Sequence, residues 1–161
     1  MPMKPSPPPV LRSKLTPALA PVLLERKRLN ALLAPLRGRR LALVVGGAGS
    51  GKTTFLAQAV RNLSLDHAWL GLDTHDQDSR VFLRGLICAI RERHADFGAE
   101  VLRLLERMSA VPGSDIPPHP GGPLDVLLHA LETEVPDHLV LVLDDFHLLH
   151  ASRRIPPFWR L

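Results

Sequence analysis

Three stretches of the chain are apolar at every position. Leu41-Ala42-Leu43-Val44-Val45 stops at glycines, Ala68-Trp69-Leu70-Gly71-Leu72 closes on the polar stretch 73–78, and Leu139-Val140-Leu141-Val142-Leu143 runs straight into Asp144-Asp145. Continuous apolar runs of this length, as opposed to alternating ones, predict strands covered on both faces. Between them the period changes to that of a helix. Residues 52–63 place Phe55, Leu56, Ala59 and Val60 on one side. Residues 79–93 set Phe82, Leu83, Leu86, Ile87 and Ile90 opposite Arg80, Arg84, Arg91 and Arg93. Helices are also predicted at 98–108 and 124–134, and a short amphipathic one at 22–36 carries Leu23, Leu24, Leu29, Leu32 and Leu33 up to Pro35. Five prolines and three glycines between Val111 and Pro123 predict a loop. Strands alternating with helices in this order predict an α/β layered fold with a parallel sheet and right-handed crossovers.

With 161 residues and 45% hydrophobic content the chain fits one domain and is too short for two. Five of its sixteen prolines fall in the first nine residues, so residues 1–21 are expected to form an extended, mobile basic tail, leaving 22–161 as the domain. The formal charge of +4 divides unevenly, net +8 over residues 1–40 and net −4 over the rest. A basic arm of this kind can touch nucleic acid or a membrane surface, but more commonly it is a solvated face or meets an acidic neighbour. Cys88, the only cysteine, leaves no internal disulfide, and its apolar surroundings point to a core position in a reducing, cytoplasmic compartment. No apolar run approaches the roughly 20 residues that span a bilayer. Ala18-Leu19-Ala20 has the form of a secretory cleavage site, but the apolar stretch before it is short and broken by Pro17.

The chemistry concentrates at two places. Gly46-Gly47-Ala48-Gly49-Ser50-Gly51-Lys52-Thr53 satisfies G-x-x-x-x-G-K-[ST] between a predicted strand and a predicted helix. Glycines let backbone N–H groups curl round an anion, and the helix start adds its positive end. Lys52 is expected on the β- and γ-phosphates, Thr53 on Mg²⁺ and Thr54 on the α-phosphate side. The dinucleotide fingerprint G-x-G-x-x-G fails because its last position falls on Lys52, and the nucleophile elbow fails because Ala48 stands two before Ser50. The second place is the end of the third apolar run, where Asp144 is expected to hold the magnesium and Asp145 to orient or deprotonate a water. His147 and His150 lie close by without further ligands at zinc spacing. Asp73, Asp76 and Asp78 lack the glycine and glutamate of a calcium loop and read as a solvated strand-end loop.

With these elements in place, residues 10–152 resemble the N-terminal ATPase domain of the large ATP-dependent LuxR-type (maltose regulon activator-like) transcriptional regulators, which are signal-transduction P-loop NTPases. Val10-Leu11-Arg12-Ser13-Lys14-Leu15 is similar to the family's opening, and Leu24-Glu25-Arg26-Lys27-Arg28-Leu29 to its R-x-R-L segment. Trp69-Leu70-Gly71-Leu72-Asp73 with Phe82-Leu83 matches W-x-x-L-D then F-L, and Leu143-Asp144-Asp145-Phe146-His147 matches L-D-D-[YF]-H. The resemblance implies a three-layer P-loop NTPase sandwich with a mostly parallel sheet, and ATP with Mg²⁺ as ligands. It also implies DNA contact only through a C-terminal helix-turn-helix outside these residues. The family's next strand and sensor arginine are not matched, so the sheet is expected to be incomplete at the C-terminus. Self-association or contact with the rest of a longer regulator is expected, and hydrolysis only once those parts are supplied. A stand-alone P-loop ATPase or kinase, and a non-catalytic nucleotide-binding fragment, remain as alternatives.

Overall fold

The computed structural model describes residues 10–17, 41–108, 121–135 and 138–150. The helix predicted at 22–36 and most of the loop predicted at 111–123 lie outside them. The elements are α1 (Lys52–Asn62), β1 (His67–Gly71), α2 (Ser79–Arg91), α3 (Ala99–Met108), α4 (Pro123–Glu134), β2 (Val140–Asp144) and α5 (His147–His150), with single 3-10 turns at Arg12–Lys14 and Thr74–Gln77. Each lies within two residues of its predicted position where a prediction was made. At α4 the helix takes Pro123 out of the predicted loop. Proline suits a first helical turn, whose N–H groups have no partner within the helix.

β1 and β2 pair in parallel, with His67 opposite Val140 and Gly71 opposite Asp144. Side chains alternate across this sheet, and each face has its own helices. On one face Trp69 and Val142 pack with Ala57 and Val60 of α1, flanked by Leu56 and Val140. On the other, Ala68 and Leu70 join the buried side of α2, with α3, α4 and Leu149 of α5 completing the main core. All five inward positions predicted for α2 are buried. The helix comes close to the sheet at Gly85, where an added Cβ would stand 3.2 Å from Leu70 Cδ1. Cys88 sits in α2 at the margin of this core, half-buried rather than enclosed.

Two expectations are corrected. Residues 41–45 are not a buried strand: they carry no ladder pairing, and Leu41, Leu43 and Val45 are 77%, 77% and 82% exposed. Apolarity expresses a demand for cover on both faces, but a strand exists only against a hydrogen-bonded neighbour, and β1 and β2 bond to each other. Val44 alone turns inward, against Phe55 and Ala59. The sheet therefore has two strands among the described residues rather than three. The second correction concerns the part of the expected tail that is described. Leu15 packs on the main core, and Lys14 is anchored at the end of β1. Asp76, expected in a solvated loop, is buried beneath it.

Candidate functional site

The loop between residue 46 and α1 is shaped by glycine. Gly49 (φ 72°) and Gly51 (φ 80°) adopt left-handed backbone that side chains disfavour, and the Ser50 amide donates to the Gly47 carbonyl at 3.3 Å to close the turn. Gly51 is the N-cap of α1. It offers no side chain to the helix's first N–H groups, and the first turn holds no acid. The helix therefore starts with its positive end uncompensated, the arrangement that receives an anion. The Lys52 ammonium folds back over the loop, donating to the carbonyls of Gly46 at 3.0 Å and Gly47 at 2.9 Å. Thr53 and Thr54 follow in the first turn.

Asp144 ends β2. Alternation along the strand puts it on the face of Val142, the side that α1 covers, and it is buried to 8% exposure. Its carbonyl accepts the Leu72 amide at 3.0 Å, and its Oδ1 accepts the Asp145 amide at 3.1 Å. Asp145 takes a left-handed conformation (φ 56°), rare for a residue with a side chain, and stands half exposed with Oδ1 3.8 Å from His147 Nδ1. No hydrogen bond or ion pair joins Lys52 to Asp144; each is held by its own segment.

Sequence reasoning missed the group beside this strand end. Lys14 Nζ forms ion pairs with Asp76 and with Asp73 Oδ2, the latter at 3.2 Å. Asp73 and Asp76 cap the turn at 74–77 reciprocally, Asp76 accepting the Asp73 amide at 2.8 Å while Asp73 accepts the His75 amide at 2.8 Å. Partial burial works to raise the pKa of the Asp73 carboxyl, but the His75 amide and Lys14 outweigh it and hold the group below its ordinary value. An acid three residues after an N-cap acid is a local signal of such a box, and it was there to be read.

The AAA ATPase domain family matches residues 24–155, most of the chain and both halves of this site. The chain belongs to that family. The resemblance to the N-terminal ATPase domain of LuxR-type regulators stands on this membership and on relatives of that kind. The HTH-type transcriptional regulator MalT of Klebsiella pneumoniae (strain 342) is 31% identical over 137 residues, covering 81% of this chain and 14% of the regulator. MalT of Serratia proteamaculans (strain 568) is 33% identical over 127 residues, 77% of this chain and 13% of its own length. The serine/threonine-protein kinase PknK of Mycobacterium tuberculosis (strain ATCC 25618 / H37Rv) is 30% identical over 150 residues, 91% of this chain and 13% of the kinase. The chain thus spans about an eighth of the length of the curated relatives it matches. No solved structure gives a significant match.

An AAA domain binds nucleotide, usually with Mg²⁺, and the residues present fit both. The uncapped start of α1 suits phosphate. Among the described residues no cluster of three or more His, Cys, Asp or Glu stands ready to cage a metal. Magnesium does not need one, because it takes one or two protein ligands together with nucleotide phosphates. No helix of the AAA domain, among the described residues, is long and apolar enough to cross a membrane.

Proposed function

We propose that this AAA domain is the ATP-binding switch module of a LuxR-type transcriptional regulator. The observation that carries the reading is the phosphate loop itself, with two left-handed glycines opening an uncapped helix whose first residue is a lysine. In this reading the backbone N–H groups of residues 46–54 hold the phosphates, and Lys52 exchanges the carbonyls of Gly46 and Gly47 for the β- and γ-phosphate oxygens. Thr53 and Asp144 hold Mg²⁺, which when bound supplies charge neutralisation on the phosphates. Asp145, half exposed at the strand end, serves as the group that orients a water or takes its proton where hydrolysis occurs. Relatives of two kinds, a transcriptional regulator and a protein kinase, share this stretch of sequence. A module common to both is best understood as a nucleotide-dependent switch whose output lies elsewhere.

The same proposal includes a cytoplasmic location, DNA contact only through another domain, and completion of the sheet by further chain or by self-association. The decisive test is binding of a fluorescent ATP analogue with and without Mg²⁺. Wild-type protein is expected to bind in a magnesium-dependent way, and Lys52→Ala to lose that binding. Unchanged affinity in Lys52→Ala would remove the phosphate loop from the account.

A further inference from the structure

Lys14 lies 62 residues from Asp76 in sequence, yet its side chain is only 16% exposed and that of Asp76 is 1% exposed. A carboxylate so enclosed is costly without a counter-charge, and Lys14 supplies it. The backbone of Lys14 is fixed as well. Its carbonyl oxygen lies 3.6 Å from where a Cβ on Gly71 would stand, against the last residue of β1, and neighbouring Leu15 is packed on the core. The segment around residues 11–16 is therefore seated on the strand end by apolar, steric and ionic contacts together.

The turn that Lys14 holds is tied onward. Gln77, the last residue of that turn, donates from Nε2 to the Leu148 carbonyl at 2.9 Å. Leu148 in turn donates its amide to the Asp145 carbonyl at 2.9 Å, and the Leu149 amide donates to Phe146 at 3.1 Å. A second tie reaches the same place, since the Leu72 amide, just before the turn, donates to the Asp144 carbonyl at 3.0 Å. The path from Lys14 to the paired acids thus consists of short polar contacts through hydrogen-bonded turns.

We infer that Lys14 is a positioning residue for Asp144 and Asp145: by seating the Asp73–Asp76 turn it fixes α5 and, through it, the orientation of the two acids at the end of β2. This rests on the magnesium role given to Asp144 above. Lys14 itself touches neither nucleotide nor metal in this account, and residues 11–16 act as a strap over the strand end.

Amide hydrogen exchange on the full 161-residue protein without nucleotide tests the physical link, and magnesium-dependent nucleotide binding tests its consequence. Lys14→Met is expected to lose protection at the Leu148 and Leu149 amides as well as in the 74–78 turn, and Lys14→Arg to retain it. Gln77→Leu should lose protection at Leu148 and Leu149 alone. Losing a group bonded directly to a metal ligand weakens metal affinity by roughly tenfold or more, and Lys14 acts one turn further away, so Lys14→Met should lose up to about tenfold in magnesium-dependent ATP affinity while magnesium-free affinity holds. Unchanged exchange at Leu148 and Leu149 in a Lys14→Met protein whose turn has loosened overturns the inference. So does an equal loss of affinity with and without magnesium. Should Lys14→Met not fold, Gln77→Leu decides, and wild-type behaviour in both measurements overturns it. If wild-type protein takes up no Mg-ATP, the nucleotide reading fails, and the exchange experiment still decides whether Lys14 governs α5.

Discussion

Asp145 offers a test in which conformation and chemistry separate. Its φ of 56° places an L-residue in the left-handed region, at a cost of about 1–2 kcal/mol for an ordinary side chain and less for aspartate, which tolerates the region better. Glycine removes that cost but adds about 0.5–1 kcal/mol of backbone entropy, so Asp145→Gly should lie within about 0.5 kcal/mol of wild type. Asp145→Ala keeps the penalty with no local hydrogen bonding to soften it, and should fall about 1 kcal/mol below the glycine variant. In thermal melts of a domain this size that gap is roughly 2–4 °C. The side chain is half exposed, so no core contact is lost with it. Urea unfolding of the four proteins, with Asp145→Asn as the isosteric control, gives the stability order, and steady-state ATP turnover gives the chemistry. All three variants should lose whatever turnover wild type has, regardless of their stability. An alanine variant as stable as the glycine one would show that residue 145 is not left-handed in solution. Turnover that tracked stability would show that the carboxylate has no chemical part.

Asp144→Asn should weaken the magnesium-dependent part of ATP binding, whereas Asp145→Asn should spare binding and lower turnover; equal effects on affinity in calorimetry would show the two roles misassigned. The depressed pKa of Asp73 makes a contribution to stability that is present above the ordinary value of 3.8 and lost as pH falls through the lower folded-state value. Urea midpoints of wild type and Asp73→Asn should therefore differ near neutrality and converge in acid, by a modest amount because the carboxyl is 45% exposed. Leu43 is 77% exposed beside other apolar side chains, so Leu43→Lys should reduce concentration-dependent association in sedimentation, and an unchanged profile would clear residues 41–45 of that role. Burial raises the pKa of the Cys88 thiol against the pull of Arg91 and Arg84, so its alkylation by iodoacetamide should be slower than that of free cysteine.

What could be read from the sequence was local. α2 was legible because its whole inward face, Phe82 to Ile90, follows one period, and β2 because five apolar residues end on two acids at the point where the fold needs polar groups. The phosphate loop was legible for the same reason, since the glycines that curl the chain and the lysine that follows are contiguous. Residues 41–45 show the limit of that logic: an apolar run states what a segment wants to be covered by, but not whether a partner strand is paired with it. Lys14 shows the opposite limit. Its composition-poor, proline-flanked setting carries no periodicity, and the partner that buries it is a carboxylate 62 positions away. The aspartates nearer at hand form a capping box with one another, so their own neighbourhood already accounts for them. Only the fold reveals that one of them is enclosed and needs a cation. A buried charge is therefore where sequence reading fails first, because its cost is set entirely by tertiary packing. It is also where the structure adds most, tying a segment that composition assigned to a tail to the acids on which the nucleotide chemistry is proposed to turn.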